Sequence, residues 1–312
     1  MKTSTKAHLA LFAVALFYGA NYSVAKDVLN NEYIQPSGFI MLRVLAGAIL
    51  FTLVDYFFVK QSRVKVAKEG ERLLFGVIGY GDLPRFWLCA LTGVAINQMF
   101  FFHGLKLTTP INASLILTMT PIIVLIFSWW LLNERIGWAK TTGIVLGVSG
   151  AIILTLYGKK IAYELSGALG DLFVLINAIS FGYYLIAVKK LTAKYHPITL
   201  AKWIFIFGLV LIFPFGIGDL LTTAWETFPT RIWLATFYVL IFATFGTYML
   251  NIFALSKVNA SVVGIYIYLQ PFIAATIAIY LGQDELTLVK AISGVLIFAG
   301  VYFVSFVKAK KA

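Results

Sequence analysis

Apolar stretches of about 20 residues recur almost from end to end of this chain, and no other feature restricts its fold as severely. A helix needs about 20 residues to cross the roughly 30 Å hydrocarbon core of a bilayer. Within that core every backbone N–H and C=O must find its partner inside the protein. Spans can be marked at Ala7 to Val28, Pro36 to Val59, Arg85 to Leu105, Pro110 to Leu132 and Trp138 to Tyr157. Five more follow at Ser166 to Val188, Ile198 to Gly218, Ile232 to Leu255, Ala260 to Leu281 and Leu286 to Val307. The expected fold class is an all-α integral membrane protein of about ten transmembrane helices. Composition agrees, because 61% of the residues are hydrophobic and only 12% charged, against about 25% charge in soluble domains.

The formal net charge is +12, yet Lys and Arg are scattered between the apolar spans and form no basic face. The excess therefore reflects topology, and no nucleic-acid partner is expected. With the N-terminus inside, 18 Lys/Arg fall on the inner side and six on the outer, with Arg43 inside a span. That bias orients both termini to the cytoplasm, with a bacterial inner membrane as the expected location. The stretch after Lys2 and Lys6 resembles a signal peptide, but it runs about 22 residues, carries Asn21 and Tyr22, and is followed at once by further spans. It is expected to remain as the first helix. The lone Cys89 cannot form an internal disulfide, and no metal-ligand spacing or cofactor motif is present, so no cofactor is expected.

Most connections between spans are short. The exception is Lys60 to Pro84, charged in its first half and apolar with two glycines in its second, Leu73 to Tyr80. An interfacial helix is expected there, with a moving gate as the alternative.

The chain also repeats itself. Gly104 to Thr155 aligns without a gap on Ala254 to Ser305 at an offset of 150, with eight identities in 52 positions. Pro121 falls on Pro271, Lys140 on Lys290, Gly150 on Gly300, and the acids Glu134 and Asp284 coincide. The expected division is a first repeat at 1–157 and a second at 158–312, together one membrane domain. Five spans per repeat is an odd number, so the second copy enters the membrane from the opposite side. Such inverted repeats supply two near-equivalent conformations, each open to one side.

The phrase Gly104-Leu-Lys-Leu-Thr-Thr-Pro-Ile-Asn-Ala-Ser114, then Pro121, then Leu131-Leu-Asn-Glu-Arg135 and the Gly143 to Gly150 spacing, resembles the EamA type of the drug/metabolite transporter superfamily. The second copy runs through Ala254-Leu255, Pro271, Asp284-Glu285 and Gly300; Gly170-Asp171 and Phe17-Tyr-Gly-Ala20 also resemble that family. The resemblance implies a five-plus-five inverted repeat, a central cavity, and movement of amino acids or related metabolites, often outward. The second copy has Glu285 where the first has Arg135, so no charge-pair role carries over there.

An ionisable residue inside a span costs about 2.5 to 3.5 kcal/mol on insertion scales and usually faces the bundle interior. Arg43 lies about 10 Å into the second span, where a guanidinium either holds a substrate carboxylate through paired hydrogen bonds or ties helices together. Asn21 and Tyr22 reach a similar depth and either line the same cavity or bond between helices. In the third span Gln98 is the better lining candidate, because adjacent Asn97 cannot share its face; His103 lies near the outer end. Tyr266 and Gln270, four residues apart, share one helical face beside Pro271. They either line the pathway or pack between helices, and Pro121 and Pro271 are expected to kink their spans alike. Tyr183, Tyr184 and Trp203 are candidates for an aromatic wall or for the membrane interface. Glu134 and Arg135 are expected to cap or anchor the start of the fifth helix, with substrate binding as the alternative.

These residues favour a transporter of a small polar metabolite by alternating access, with lipid as its surroundings. A membrane enzyme would need clustered acids or histidines at the interface, whereas His8, His103 and His196 lie far apart in sequence. A passive channel or facilitator is the closer rival, since inverted repeats do not decide whether both gates can open together.

Overall fold

A computed structural model of the chain describes residues 3–30, 33–59, 73–74, 77–132, 137–157, 164–192, 194–255 and 266–305. Seven of its helices are long and apolar enough to span a membrane: Thr5–Asn30, Pro36–Phe58, Tyr80–Leu107, Pro110–Leu131, Ser166–Thr192, Pro197–Leu221 and Thr230–Asn251. Three shorter apolar helices, Lys140–Leu154, Gln270–Tyr280 and Leu288–Phe303, supply the remaining spans. In chain order these are the first to tenth helices below. Several starts follow from local chemistry. Pro36, Pro110 and Pro197 each stand in the first turn, where a missing N–H costs nothing and φ is already set. Thr109 accepts the backbone N–H of Asn112, capping the fourth helix. Large apolar side chains such as Phe58, Phe215 and Val295 point outward, 65 to 81% exposed, as lipid-facing surface requires.

One expectation is corrected at the charged connection. Its described apolar part is a hairpin, with Leu73–Leu74 antiparallel to Ile78–Gly79, followed by a short 3₁₀ turn at Tyr80–Asp82. Among its described residues no interfacial helix forms before Tyr80. The Tyr195 hydroxyl accepts from the Gly79 N–H (3.1 Å) and donates to Asp82 (2.8 Å), tying the hairpin to the connection between the sixth and seventh helices. Lys60–Arg72 lies outside the described residues, as do Glu134 and Arg135.

The repeat extends well beyond its readable stretch. The fourth helix breaks at Thr118–Met119, and a matching break at Tyr268–Leu269 separates Gln270–Tyr280 from the helical residues Tyr266 and Ile267, which are counted with the ninth helix below. The breaks lie 150 positions apart, each ending two residues before its proline. Proline has no N–H and crowds the carbonyl four residues earlier, so each break sits where the ladder fails. The third and eighth helices carry π segments at Leu91–Ala95 and Val239–Gly246, which overlap at the same offset. The packing repeats too. The second helix pairs with the seventh and the fifth with the tenth; third-on-sixth contact is matched by first-on-eighth, and fourth-on-sixth by first-on-ninth.

Close approaches at glycine fix the correspondence residue by residue. Gly19 of the first helix lies against Ile273 of the ninth, and Gly182 of the sixth against Ile123 of the fourth. These are one contact made twice, which places the sixth helix 163 positions after the first. Pro36 and Pro197 likewise set the seventh helix 161 positions after the second. The fifth and tenth helices cross where Gly150 meets Ser293 and Ile297 while Gly300 meets Gly143 and Gly147. With five spans in each half, the halves are inverted relative to one another.

At that crossing a methyl group on Gly300 would lie 2.6 Å from the Gly143 carbonyl oxygen, too close without moving backbone. Gly300→Val should therefore destabilise the fold by about 1–3 kcal/mol. Unfolding in detergent is the measurement, with Gly218→Ala as the control because its methyl would meet nothing within 4 Å. An unchanged Gly300→Val protein would refute tight packing at this crossing.

Candidate functional site

Eight helices enclose a cavity of about 770 Å³, within the range of small-molecule sites. The fifth and tenth contribute no lining and pack on each other at one side. Arg43, Asn21, Tyr22, Gln98, Tyr266 and Gln270 all line this cavity. Tyr183 and Trp203 do not. Tyr183 packs edge-on against Phe127 at 5.5 Å, and Trp203 is buried against Phe207 with the Lys202 ammonium over its ring. On the sixth helix the wall is made instead by Phe181 and Tyr184; one step along a helix turns a side chain by about 100°, and Tyr183 is turned onto Phe127.

Arg43 is 7% exposed and bound on two sides. Its Nε donates to Thr244 Oγ1 at 2.6 Å and an Nη donates to Gln98 Oε1 at 2.9 Å, while the guanidinium stands 5.1 Å from the Phe102 ring centre. Both acceptors follow from the π segments. Thr244 lies within the eighth helix's π segment, its hydroxyl donating to the Val239 carbonyl five residues earlier, and Gln98 comes just after the third helix's π segment. An extra residue in a turn rotates everything beyond it, a device common at functional sites. Asn97, expected to face away, also lines the cavity, and Asn177 donates to its carbonyl at 2.7 Å.

Among the described lining residues Arg43 is the single charged side chain, and none is acidic. Its partners are neutral oxygens and a ring, so the positive charge is solvated but uncompensated. The remaining polar lining is made of hydroxyls and amides, including Ser128, Asn251 and Tyr248, which the sequence reading did not select. Asn21 is 4% exposed, and its Oδ1 is buried without a hydrogen-bond partner. Leaving such an acceptor unmatched costs about 1–3 kcal/mol. Tyr266 is held by His8, whose Nδ1 lies 3.0 Å from the hydroxyl.

The two ends of the cavity differ. Toward the face where the first helix begins, the lining continues to Ser128, Leu185, Asn251 and Tyr266. Toward the opposite face a layer of buried rings closes it: Tyr22 on Phe101, Phe101 on Phe102, and Phe102 on Phe39. Beyond this layer lies a polar latch. Lys26 donates to the carbonyls of Leu105 (2.9 Å), Lys106 (3.3 Å) and Thr108 at the end of the third helix. The Thr108 hydroxyl donates to Asp171 of the sixth helix, which also accepts from Asn112. Asp284 accepts the Ile111 N–H at 3.2 Å and is paired with Lys290. His103 bonds to Ser37 at this same end, 3.1 Å away.

An all-helical membrane protein with two inverted halves around a largely apolar cavity studded with polar groups is built as a membrane transporter. The EamA-like transporter family matches residues 5–156 and again 168–306, and the chain belongs to that family. An uncharacterized transporter of Archaeoglobus fulgidus is 25% identical over 299 residues, 96% of this chain and 97% of its own length. A probable terminal-alkyne amino-acid exporter of Streptantibioticus cattleyicolor is 25% identical over 78% of this chain and 82% of its own. Protein WALLS ARE THIN 1 of Arabidopsis thaliana is 23% identical over 97% of this chain and 83% of its own length. A solved crystal structure, 17% identical, matches the fold with a TM-score of 0.61 over 96% of this chain and 97% of that one.

The latch makes a testable prediction. Lys26→Met removes the ammonium that gathers three carbonyls, so the closed end should open more often. A cysteine replacing cavity-lining Ser114, in a Cys89→Ala background, should then react about tenfold faster with an impermeant maleimide applied at that face, a shift of about 1.4 kcal/mol. Equal labelling with and without Lys26 would remove the latch from gating.

Proposed function

We propose that this protein carries small carboxylate-bearing metabolites, amino acids or close relatives of them, across the membrane by alternating access, in the direction of export. One observation carries the substrate chemistry: the cavity holds the Arg43 charge and no acid among its described lining residues. Burying a charge is unfavourable unless an opposite charge arrives, and a carboxylate can meet the planar guanidinium through paired hydrogen bonds. The amino-acid exporter among the relatives points to the same class. In this reading repeats 1–157 and 158–312 exchange conformations about Arg43, and both termini lie in the cytoplasm of a bacterial inner membrane. The latched face is then external, and the conformation faces inward, as loading for export requires.

The Arg43 reading separates from a purely structural one by paired measurements in detergent. Arg43→Lys keeps charge but loses the planar fork, so it should bind carboxylated substrates about tenfold or more weakly, and Arg43→Ala should hardly bind at all. If Arg43 only ties the third and eighth helices together, melting temperature falls in both variants before affinity changes selectively. Stable variants with wild-type affinity would end the anchor role. The lining reading of the ninth helix is tested in proteoliposomes, where Gln270→Ala and Tyr266→Phe should each lower transport several-fold at unchanged expression. Unchanged kinetics in both would take that face out of the pathway. Flux that saturates and is accelerated by substrate on the far side marks a carrier; flux lacking both properties marks a channel.

A further inference from the structure

The two halves share a wall but not its polar groups. At the offsets fixed by packing, Arg43 corresponds to Ile204, Gln98 to Tyr248, Thr244 to Val94 and Asn21 to Tyr184, and all eight residues line the cavity. In the second half the corresponding positions carry two tyrosines, Tyr184 and Tyr248, both lining the cavity. In the first half the equivalent pair is split. Gln98 is engaged by Arg43, and Asn21 is left with a buried, unpartnered Oδ1 in a helix that lines the same cavity. A buried acceptor beside a cavity draws its donor from whatever fills that cavity.

We propose that Asn21 is a specificity-determining residue that accepts a hydrogen bond from a donor borne next to the substrate's carboxylate, such as an ammonium or hydroxyl group. This rests on the reading of Arg43 as the carboxylate anchor. It adds that the anchoring charge and the unmatched acceptor both belong to the first half, while Ile204 and Tyr184 stand at their positions in the second. A site built to pair with a substrate donor discriminates strongly against the analogue that lacks it, because its own polar group is then left unmatched. The substrate class is accordingly 2-amino and 2-hydroxy acids rather than 2-oxo acids of the same skeleton.

The test is equilibrium binding of matched acids to the purified full chain in detergent: the 2-amino, 2-hydroxy and 2-oxo acids built on the carbon skeletons of leucine and phenylalanine. Wild-type protein should bind the amino or hydroxy acid of a skeleton at least tenfold tighter than the oxo acid. Asn21→Leu, similar in size but without an acceptor, should reduce that ratio to within about twofold, whereas Asn21→Thr, which keeps an acceptor, should retain most of it. Asn21→Ala replaces the Leu variant should the latter fail to yield folded protein by melting temperature. Equal affinity for oxo and amino or hydroxy acids in the wild type, as expected where Oδ1 meets only water, overturns the inference and leaves the Arg43 anchor standing. A preference that survives in Asn21→Leu or Asn21→Ala also overturns it. Binding of none of the six acids defeats the anchor reading itself and the inference with it.

Discussion

In hydrocarbon an unpaired backbone N–H or C=O costs several kcal/mol, and this one constraint organises the molecule. It forces nearly all of the described chain into helices. It also confines irregular backbone to places where something other than lipid can meet it. The π segments of the third and eighth helices and the breaks before Pro121 and Pro271 all fall on helices that line the cavity. At the fourth-helix break the Thr118 and Thr120 hydroxyls bond to the carbonyls of Leu115 and Leu117, supplying donors that the interrupted ladder lacks. The departures from helical regularity thus surround the same space that holds Arg43.

Inversion of two similar halves gives a scaffold that can exist in two nearly equal arrangements, and the asymmetries laid on it decide what it binds and which end is closed. Close glycine contacts such as Gly19 on Ile273 and Gly182 on Ile123 are duplicated, so the helix framework is common to both halves. The polar groups are not duplicated: where the first half has Arg43, the second has Ile204. The Lys26, Thr108, Asp171 and Asp284 bonds lie at one end only, where they join the first helix, the ends of the third and fourth, the sixth, and the turn after the ninth.

How far the site could be read from sequence depended on what fixes helix rotation. Arg43, Asn21 and Gln98 were legible because a polar side chain deep in an apolar span has nowhere favourable to go but inward. Tyr266 and Gln270 were legible as a four-residue pair on one face. Tyr183 and Trp203 were not separable from their neighbours, since aromatic residues suit lipid, interface and cavity alike, and one step along the helix turns a side chain by about 100°. Thr244 gave no signal, because threonine is common in spans and only the π segment brings it to Arg43. Asn97 was turned away on the assumption of a regular helix through Leu91–Ala95.

By itself the sequence determined the solvent, the number and order of spans, the inversion of the halves, and the presence of a cation, Arg43, deep within a span, since each follows from hydrophobic length, parity and the cost of charge in lipid. Tertiary structure alone decided which faces of those helices meet, that the neutral acceptors of Arg43 come from two helices distant in the chain, and that one end of the cavity is closed. Those outcomes depend on helix rotation and close packing at glycine, which are set by contacts between segments more than 50 residues apart and leave no local periodicity to read.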